Sequence, residues 1–277
     1  MRSLTVAPGT DLVIHELGGD GAPALFAHAT GFHGRVWQPV AARLNGFRGW
    51  APDLRAHGDT PVGPDGLHWE IFADDLLAVV DELGLDRPLG VGHSKGGAAL
   101  LMAEERRPGT FRGLWCWEPV VFAPLPSGTG PTEGNPLART ARNRRDTFDS
   151  FDSALRNFGS KPPMQAFHPE ALEAYVRHGF SVEADGTVRL KCEPEHEARV
   201  YEMAQHHQAW ASLGSVACPV VIARGAPADG GPAAMAGPVA ERLPDGRLEA
   251  HDDLGHFGPM EDPDAVAASI QAFAATL

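Results

Sequence analysis

The alternation of short apolar runs with helical patterns constrains the fold of this chain more than any other feature of its sequence. Apolar runs typical of strands fall at residues 11–17, 22–29, 49–54, 88–93 and 111–120. Between them, apolar side chains repeat at helical spacing over residues 35–45, 68–83 and 95–107. Strands that alternate with helices favour a parallel sheet covered on both faces, so we predict an α/β fold.

The alternation breaks in the middle of the chain and then resumes. Residues 123–137 are rich in Pro, Gly, Ser and Thr, and polar helical patterns follow them. Strand-like runs return at 218–225 and 246–251. We therefore predict a core built from residues 1–122 and 214–277, interrupted by an insertion at 123–213.

The charge balance narrows the class of partner. The chain has 23 basic and 36 acidic residues, a formal net charge of −13. An acidic surface attracts neither nucleic acid nor an anionic membrane, so we expect a small-molecule substrate and neither of those partners. No apolar run reaches the length of a membrane span, and the first residues lack the pattern of a secretory leader, so we expect a cytoplasmic protein.

Cysteine and histidine spacing predicts no metal site. The three cysteines are widely separated, which favours buried thiols over disulfides or zinc ligands. The 13 histidines include no HExxH pair. We expect neither a metal nor a cofactor.

The stretch Gly92-His93-Ser94-Lys95-Gly96 is the strongest chemical signal in the sequence. It fits the pattern G-x-S-x-G and lies between a predicted strand and a predicted helix. Small residues on either side of the serine relieve the crowding of a very tight turn, which lifts the hydroxyl clear of the sheet. The backbone N–H of Lys95 and the positive end of the helix would then face an anionic intermediate.

A serine nucleophile needs a base, and the base needs an acid to orient it. His256 lies on a loop between the strand-like run 246–251 and the last helix. Asp229 lies on the loop after the run 218–225. Both positions follow strands, which would deliver them to the same rim of the sheet as Ser94.

Together these motifs resemble the α/β-hydrolase family over nearly the whole chain. The resemblance rests on the serine turn, on HATGFHGRVW (28–37), on DLRAHGDT (53–60) and on GHFGPMEDP (255–263). It implies an eight-stranded, mostly parallel sheet with helices on both faces and a helical lid inserted at 123–213. It also implies the catalytic residues Ser94, His256 and Asp229, with backbone N–H groups of Thr30 and Lys95 as the oxyanion hole.

Two individual assignments remain open at this point. Glu118 ends the run 111–120 and is an alternative to Asp229 as the acid, although the spacing before His256 favours Asp229. The Lys95 side chain either packs its stem under the lid with its ammonium in water or paired, or forms an ion pair with Glu118 that stiffens the serine turn. The residues Phe32, Trp37, His93 and Trp117 are candidates for the substrate pocket, and the aromatic ones suit the core equally well.

The predicted function is hydrolysis of a small to medium, partly apolar ester, lactone or thioester through an acyl-enzyme. The same triad also suits carbon–carbon bond hydrolysis and cofactor-free perhydrolysis. Epoxide or haloalkane chemistry is disfavoured because Ser94 stands where that chemistry needs a carboxylate. A non-catalytic receptor for a small ligand is a further alternative on this fold.

Overall fold

The computed structural model describes residues 2–7, 9–123 and 135–277. Its strands are β1 (Arg2–Ala7), β2 (Thr10–Gly18), β3 (Ala22–Ala27), β4 (Phe47–Pro52), β5 (Leu89–His93), β6 (Gly113–Trp117), β7 (Thr147–Phe148), β8 (Phe180–Val182), β9 (Val188–Leu190), β10 (Val220–Arg224) and β11 (Gly246–Ala250). Its helices are α1 (Gln38–Ala41), α2 (Trp69–Glu82), α3 (Lys95–Arg106), α4 (Pro136–Arg142), α5 (Phe151–Gly159), α6 (Pro169–Gly179), α7 (Pro194–Glu202), α8 (Ala209–Ser212), α9 (Gly231–Arg242), α10 (Gly258–Glu261) and α11 (Pro263–Ala274).

Eight of the strands form one sheet in the order β1-β2-β4-β3-β5-β6-β10-β11. Strand β2 pairs antiparallel with both β1 and β4, and the pairs from β4 through β11 are parallel. The central strands β5 and β6 are buried along their whole length, as parallel strands covered on both faces are. The predicted fold class is thereby confirmed.

Helices cover both faces of this sheet. Apolar side chains of α2, α3 and α9 pack with one face, including Phe72, Leu100 and Val239. Those of α1 and α11 pack with the other, including Val40 and Ile270. The helix predicted over 35–45 is shorter than expected, since a 3-10 turn (Gly34–Trp37) precedes the single turn of α1.

A segment lies between β6 and β10 in the chain and adds a second, smaller sheet. Its described part, residues 135–213, contains helices α4 to α8 and the three strands β7, β9 and β8, which pair antiparallel in that order. Arg142 of α4 joins Glu195 and Glu202 of α7 through ion pairs. Most of the Pro- and Gly-rich stretch predicted at 123–137 lies outside the described residues.

None of the described helices is both long and apolar enough to cross a membrane. Across residues 2–7, 9–123 and 135–277, no group of three or more His, Cys, Asp or Glu side chains is placed to hold a metal ion. Cys116, Cys192 and Cys218 are all free and buried.

Candidate active site

The turn between β5 and α3 holds Ser94 in a strained backbone conformation. Its φ and ψ are 55° and −114°, a region that non-glycine residues rarely adopt. The Ser94 N–H donates to the carbonyl oxygen of Trp117 at 2.9 Å, and the Ser94 carbonyl accepts from Ala98 and Val120 at 3.2 Å. These hydrogen bonds stabilise the strained turn, so Ser94 has a fixed position at the carboxyl end of β5.

The flanking glycines are required by contact with neighbouring backbone. A Cβ at Gly96 would lie 2.1 Å from the Ala27 carbonyl oxygen, and one at Gly92 would lie 2.6 Å from the Gly97 Cα. No rotamer change relieves a clash with backbone. The glycines of the G-x-S-x-G pattern are therefore needed because α3 lies close to the backbone of β3 and β5.

Glu118 is the carboxylate that contacts His256. Its Oε2 lies 2.6 Å from His256 Nδ1, and its Oε1 accepts from the Gly225 N–H at 2.8 Å. The side chain is 3% exposed, and the backbone has a φ of 41°. The Glu118 N–H also donates to the carbonyl oxygen of Ala223 at 2.8 Å, which fixes the residue between β6 and β10.

The preference for Asp229 over Glu118 is wrong in this structure. Asp229 is exposed, in the loop five residues beyond the end of β10 at Arg224. Glu118 follows the last residue of β6 directly, so its position is fixed by the sheet. Its carboxylate, and not that of Asp229, pairs with His256.

The loop that carries His256 is held through its carbonyl oxygen. Trp117 Nε1 donates to that oxygen at 3.0 Å and His93 Nε2 donates to it at 2.9 Å. Burial lowers the pKa of His93 well below its usual value, so the ring is neutral. Gly258 lies so close to Trp117 that a Cβ there would come within 2.1 Å of the indole ring. Two side chains thus position the backbone of His256.

Of the four residues predicted to line the substrate pocket, one lies at a cavity and three lie elsewhere. Phe32 lines a cavity of about 600 Å³ together with Thr30 and Phe257. Trp37 and Trp117 are fully buried in the core, and His93 is fully buried against the His256 loop. Their assignment to the pocket is therefore corrected.

The Lys95 side chain is buried, contrary to both interpretations of the sequence. Its Nζ lies 3.3 and 3.4 Å from the two ring nitrogens of His57 and 4.4 Å from the centroid of Phe72. The carboxylate of Glu118 is instead bonded to His256 and Gly225. Burial lowers the pKa of Lys95 to about 7.

A neutral histidine braces the loop that contains Thr30. Burial lowers the pKa of His28 well below its usual value. Its Nδ1 bonds to the Ala29 carbonyl oxygen at 2.7 Å, and its Nε2 accepts from the Leu54 N–H at 2.9 Å, which defines the tautomer. Thr30 itself is buried, and the next residue, Gly31, has a φ of 79°.

A polar group that the sequence did not reveal lies within the inserted segment, against the loop that contains Thr30. Arg144 bonds to Glu197 through Nη1 and to the hydroxyl of Tyr175 through Nη2 at 2.9 Å. A Cβ at Gly31 would lie 2.6 Å from Glu197 Oε1 and 3.6 Å from Arg144 Nη1. The basic run Arg142, Arg144 and Arg145 was the only sign of this group, and its partner is 53 residues away.

Comparison with known proteins agrees with this fold. Residues 24–269 match a family model described as the alpha/beta hydrolase family. That match covers most of the chain and contains Ser94, Glu118 and His256. The chain therefore belongs to the α/β-hydrolase family.

Two relatives match parts of the sequence. The bifunctional esterase/perhydrolase of Acinetobacter calcoaceticus is 31% identical over 56% of this chain and 54% of its own length. A non-heme chloroperoxidase of Kitasatospora aureofaciens is 40% identical over 30% of each chain. The chain thus spans about half the length, or less, of these relatives.

A solved structure matches nearly the whole fold. The crystal structure of E-2-(acetamidomethylene)succinate hydrolase superposes with a TM-score of 0.84 over 99% of this chain and 98% of that one. The two sequences are 21% identical, so this likeness supports the fold alone.

Proposed function

We propose that this chain is a serine hydrolase that cleaves ester-type bonds through an acyl-enzyme, with Ser94, His256 and Glu118 as its triad. The observation that carries the proposal is the bond of 2.6 Å between His256 Nδ1 and the buried Glu118 carboxylate, beside the strained turn that presents Ser94. That bond fixes the His256 tautomer with its Nε2 free to accept a proton.

The first chemical step is attack of the Ser94 hydroxyl on the ester carbonyl. His256 takes the hydroxyl proton through Nε2, and the carboxylate of Glu118 stabilises the imidazolium that forms. The same proton then goes to the departing alcohol, which leaves an acyl group on Ser94. Water, activated by His256, attacks the acyl-enzyme and regenerates the serine.

The oxyanion would bind to the backbone N–H groups of Thr30 and Lys95. Lys95 is the first residue of α3, so its N–H has no carbonyl partner within that helix. Thr30 lies on the loop that His28 braces. Donors held in place in this way stabilise charge as it develops, at no cost of reorganisation during the reaction.

The cavity at Thr30 and Phe257 is the proposed substrate pocket, and residues 123–213 are the proposed lid. Its volume of about 600 Å³ suits a small or medium substrate. Several walls are apolar, among them Phe32, Phe158 and Met164. A polymer has no place in this pocket.

Hydrolysis of p-nitrophenyl butyrate by the wild type and by Ser94→Ala tests the proposal. We expect repeated turnover by the wild type and a loss of at least 10³-fold in the variant, because the variant has no nucleophile. Circular dichroism of both proteins controls for folding. Equal rates in two folded proteins would remove Ser94 from the mechanism.

Perhydrolysis is a second candidate function, favoured by the sequence match to an esterase/perhydrolase. In that reaction hydrogen peroxide replaces water in the attack on the acyl-enzyme, and a peroxycarboxylic acid leaves Ser94. With acetate and peroxide, the peroxyacetic acid so formed would oxidise bromide to hypobromite and return to acetate, and the hypobromite would brominate monochlorodimedone. Loss of that signal in Ser94→Ala would support this function, and its absence in the wild type would exclude it.

A further inference from the structure

The cavity lined by Thr30, Phe32 and Phe257 has a charge opposite to that of the chain. Three cations line it (Arg144, Arg145 and Lys161), and Glu197 is its one acidic lining residue among those the structure describes. The whole chain has a net charge of −13. A positive cavity in an acidic protein selects for an anionic ligand, because its field is opposed to that of the rest of the surface.

The cations differ in depth. Arg145 and Lys161 are exposed at the rim of the cavity, whereas the side chain of Arg144 is only 17% exposed. Arg144 Nη1 would lie 3.6 Å from a Cβ at Gly31, so its guanidinium is next to the loop that carries Thr30. An anion drawn in by the outer cations therefore meets Arg144 next to the loop of Thr30, whose N–H is a proposed oxyanion donor.

The Arg144 guanidinium is oriented but not saturated. Glu197 and Tyr175 each take one of its five N–H groups. Among the described residues its Nε has no hydrogen-bond partner. Phe158 lies 5.9 Å from the guanidinium, measured to its ring centroid, and restricts its position further. A planar guanidinium with free N–H donors, in a partly apolar cavity, can bind the two oxygens of a carboxylate.

We propose that Arg144, assisted by Arg145 and Lys161, forms a subsite for a substrate carboxylate, so that the preferred substrate is the half-ester of a short dicarboxylic acid. The inference rests on the proposed function, since it takes this cavity as the substrate pocket. The short distance between Arg144 and the Gly31 loop requires few carbons between the carboxylate and the ester carbonyl.

The decisive comparison uses two ethyl esters with five-carbon acyl chains, monoethyl glutarate and ethyl pentanoate. Hydrolysis of each is measured by titrating the released acid at constant pH. We expect the wild type to favour the half-ester by about ten-fold in kcat/KM at low ionic strength, as for a hydrogen-bonded charge. Added salt should reduce the share of that preference that comes from the exposed Arg145 and Lys161.

Removal of Arg144 alone would leave Glu197 buried without its partner, so the main variant is Arg144→Gln with Glu197→Gln. We expect it to lose the preference for the half-ester, measured as the ratio of kcat/KM for monoethyl glutarate to kcat/KM for ethyl pentanoate. Arg139→Gln is the matched control, since Arg139 is on the same stretch of chain but does not line the cavity. A double variant that keeps the wild-type ratio would overturn the subsite.

The outcomes separate the subsite from the proposed function. If the wild type hydrolyses ethyl pentanoate without preferring the half-ester, the subsite is wrong and the hydrolase proposal stands. If it hydrolyses neither ester, the hydrolase proposal loses support and calorimetry with glutarate decides the subsite. Binding of glutarate by the wild type and not by the double variant supports the subsite, and no binding by the wild type overturns it.

Discussion

The ends of strands β6 and β10 both lead to a carboxylate, yet only one of them reaches His256. Glu118 follows β6 directly, is 3% exposed and bonds to His256 and Gly225. Asp229 lies five residues beyond β10, in an exposed part of its loop. The sheet fixes the position of a residue directly after a strand end, whereas a residue farther along the loop must be fixed by contacts of its own.

The bonds around Glu118 show how the sheet achieves this. Its N–H bonds to Ala223 of β10, and its Oε1 accepts from Gly225, just past the end of the same strand. The adjacent strand therefore holds both the backbone and the side chain of Glu118. Trp117, the residue before it, donates to the His256 carbonyl and fixes the other partner of the pair.

Substitution of Glu118 is expected to have the largest effect. Glu118→Gln keeps the shape of the side chain but removes the charge that stabilises the imidazolium of His256. We expect kcat for an ester substrate to fall by about 10³- to 10⁴-fold, as for loss of the acid in other serine triads. The measurement is kcat at saturating p-nitrophenyl butyrate, and wild-type turnover by the variant would remove Glu118 from the triad.

Gly225→Ala is expected to have the next largest effect. A Cβ there would lie 2.4 Å from the Leu254 carbonyl oxygen, which belongs to the backbone that leads to His256. The end of β10 and the histidine loop must then separate, and the Gly225 N–H moves away from Glu118. We expect kcat to fall by about 10-fold or more and the free energy of unfolding to fall by about 2 kcal/mol, from urea titration.

Gly97→Ala is the control for that substitution. The nearest atom to its Cβ is a Pro119 Cβ at 3.1 Å, a side-chain contact that needs a much smaller shift. Alanine in a helix also favours folding over glycine by about 0.5–1 kcal/mol. A loss of activity equal to that of Gly225→Ala would mean that any added methyl group at this rim disturbs the site.

Lys95→Met tests whether burial of the Lys95 ammonium, just after the end of β5, destabilises the folded chain. Burial lowers the pKa of Lys95 from 10.5 to about 7, so between these values the unfolded chain binds a proton that the folded chain does not. Lys95 therefore makes the free energy of unfolding rise with pH through that window. Its destabilising effect on the folded chain is greatest below pH 7. We expect the variant to be more stable than the wild type at pH 7, by an amount that shrinks as the pH rises to 9.

Urea titrations of both proteins at pH 7, 8 and 9 measure this difference directly. The buried thiols Cys116 and Cys218, whose pKa values are raised by burial, titrate alike in both proteins and cancel in the comparison. A difference that does not change with pH would show that Lys95 is not desolvated in the folded chain.

Asp229→Asn is expected to have the smallest effect. The carboxylate is exposed and His256 bonds to Glu118, so the substitution removes no contact of the site. We expect kcat/KM to stay within about two-fold and stability within about 0.5 kcal/mol of the wild type. A loss comparable to that of Glu118→Gln would reverse the assignment of the acid.

Local patterns predicted the fold well, because strands buried on both faces leave apolar runs in the sequence. Strand β1 (Arg2–Ala7) was missed since it is a largely exposed edge strand with little apolar signal. The position of Ser94 followed from its flanking glycines, whose contacts with backbone are set within the turn.

The acid and the cavity could not be predicted in the same way. The choice of Glu118 depends on the register of β6 against β10 and on a φ of 41°, which no spacing reveals. The pair of Arg144 and Glu197 joins two parts of the chain 53 residues apart, and only the fold of the inserted segment brings them together.

The exposed loop after β10 also offers a point of attachment for a fluorophore. The native Cys116, Cys192 and Cys218 are all buried, so a single cysteine placed at position 229 would be the reactive thiol of the molecule. A dye there would sit at the rim of the sheet without touching the Glu118–His256 pair. Its emission would report the surroundings of the loop after β10, in a protein whose Glu118–His256 pair is unaltered.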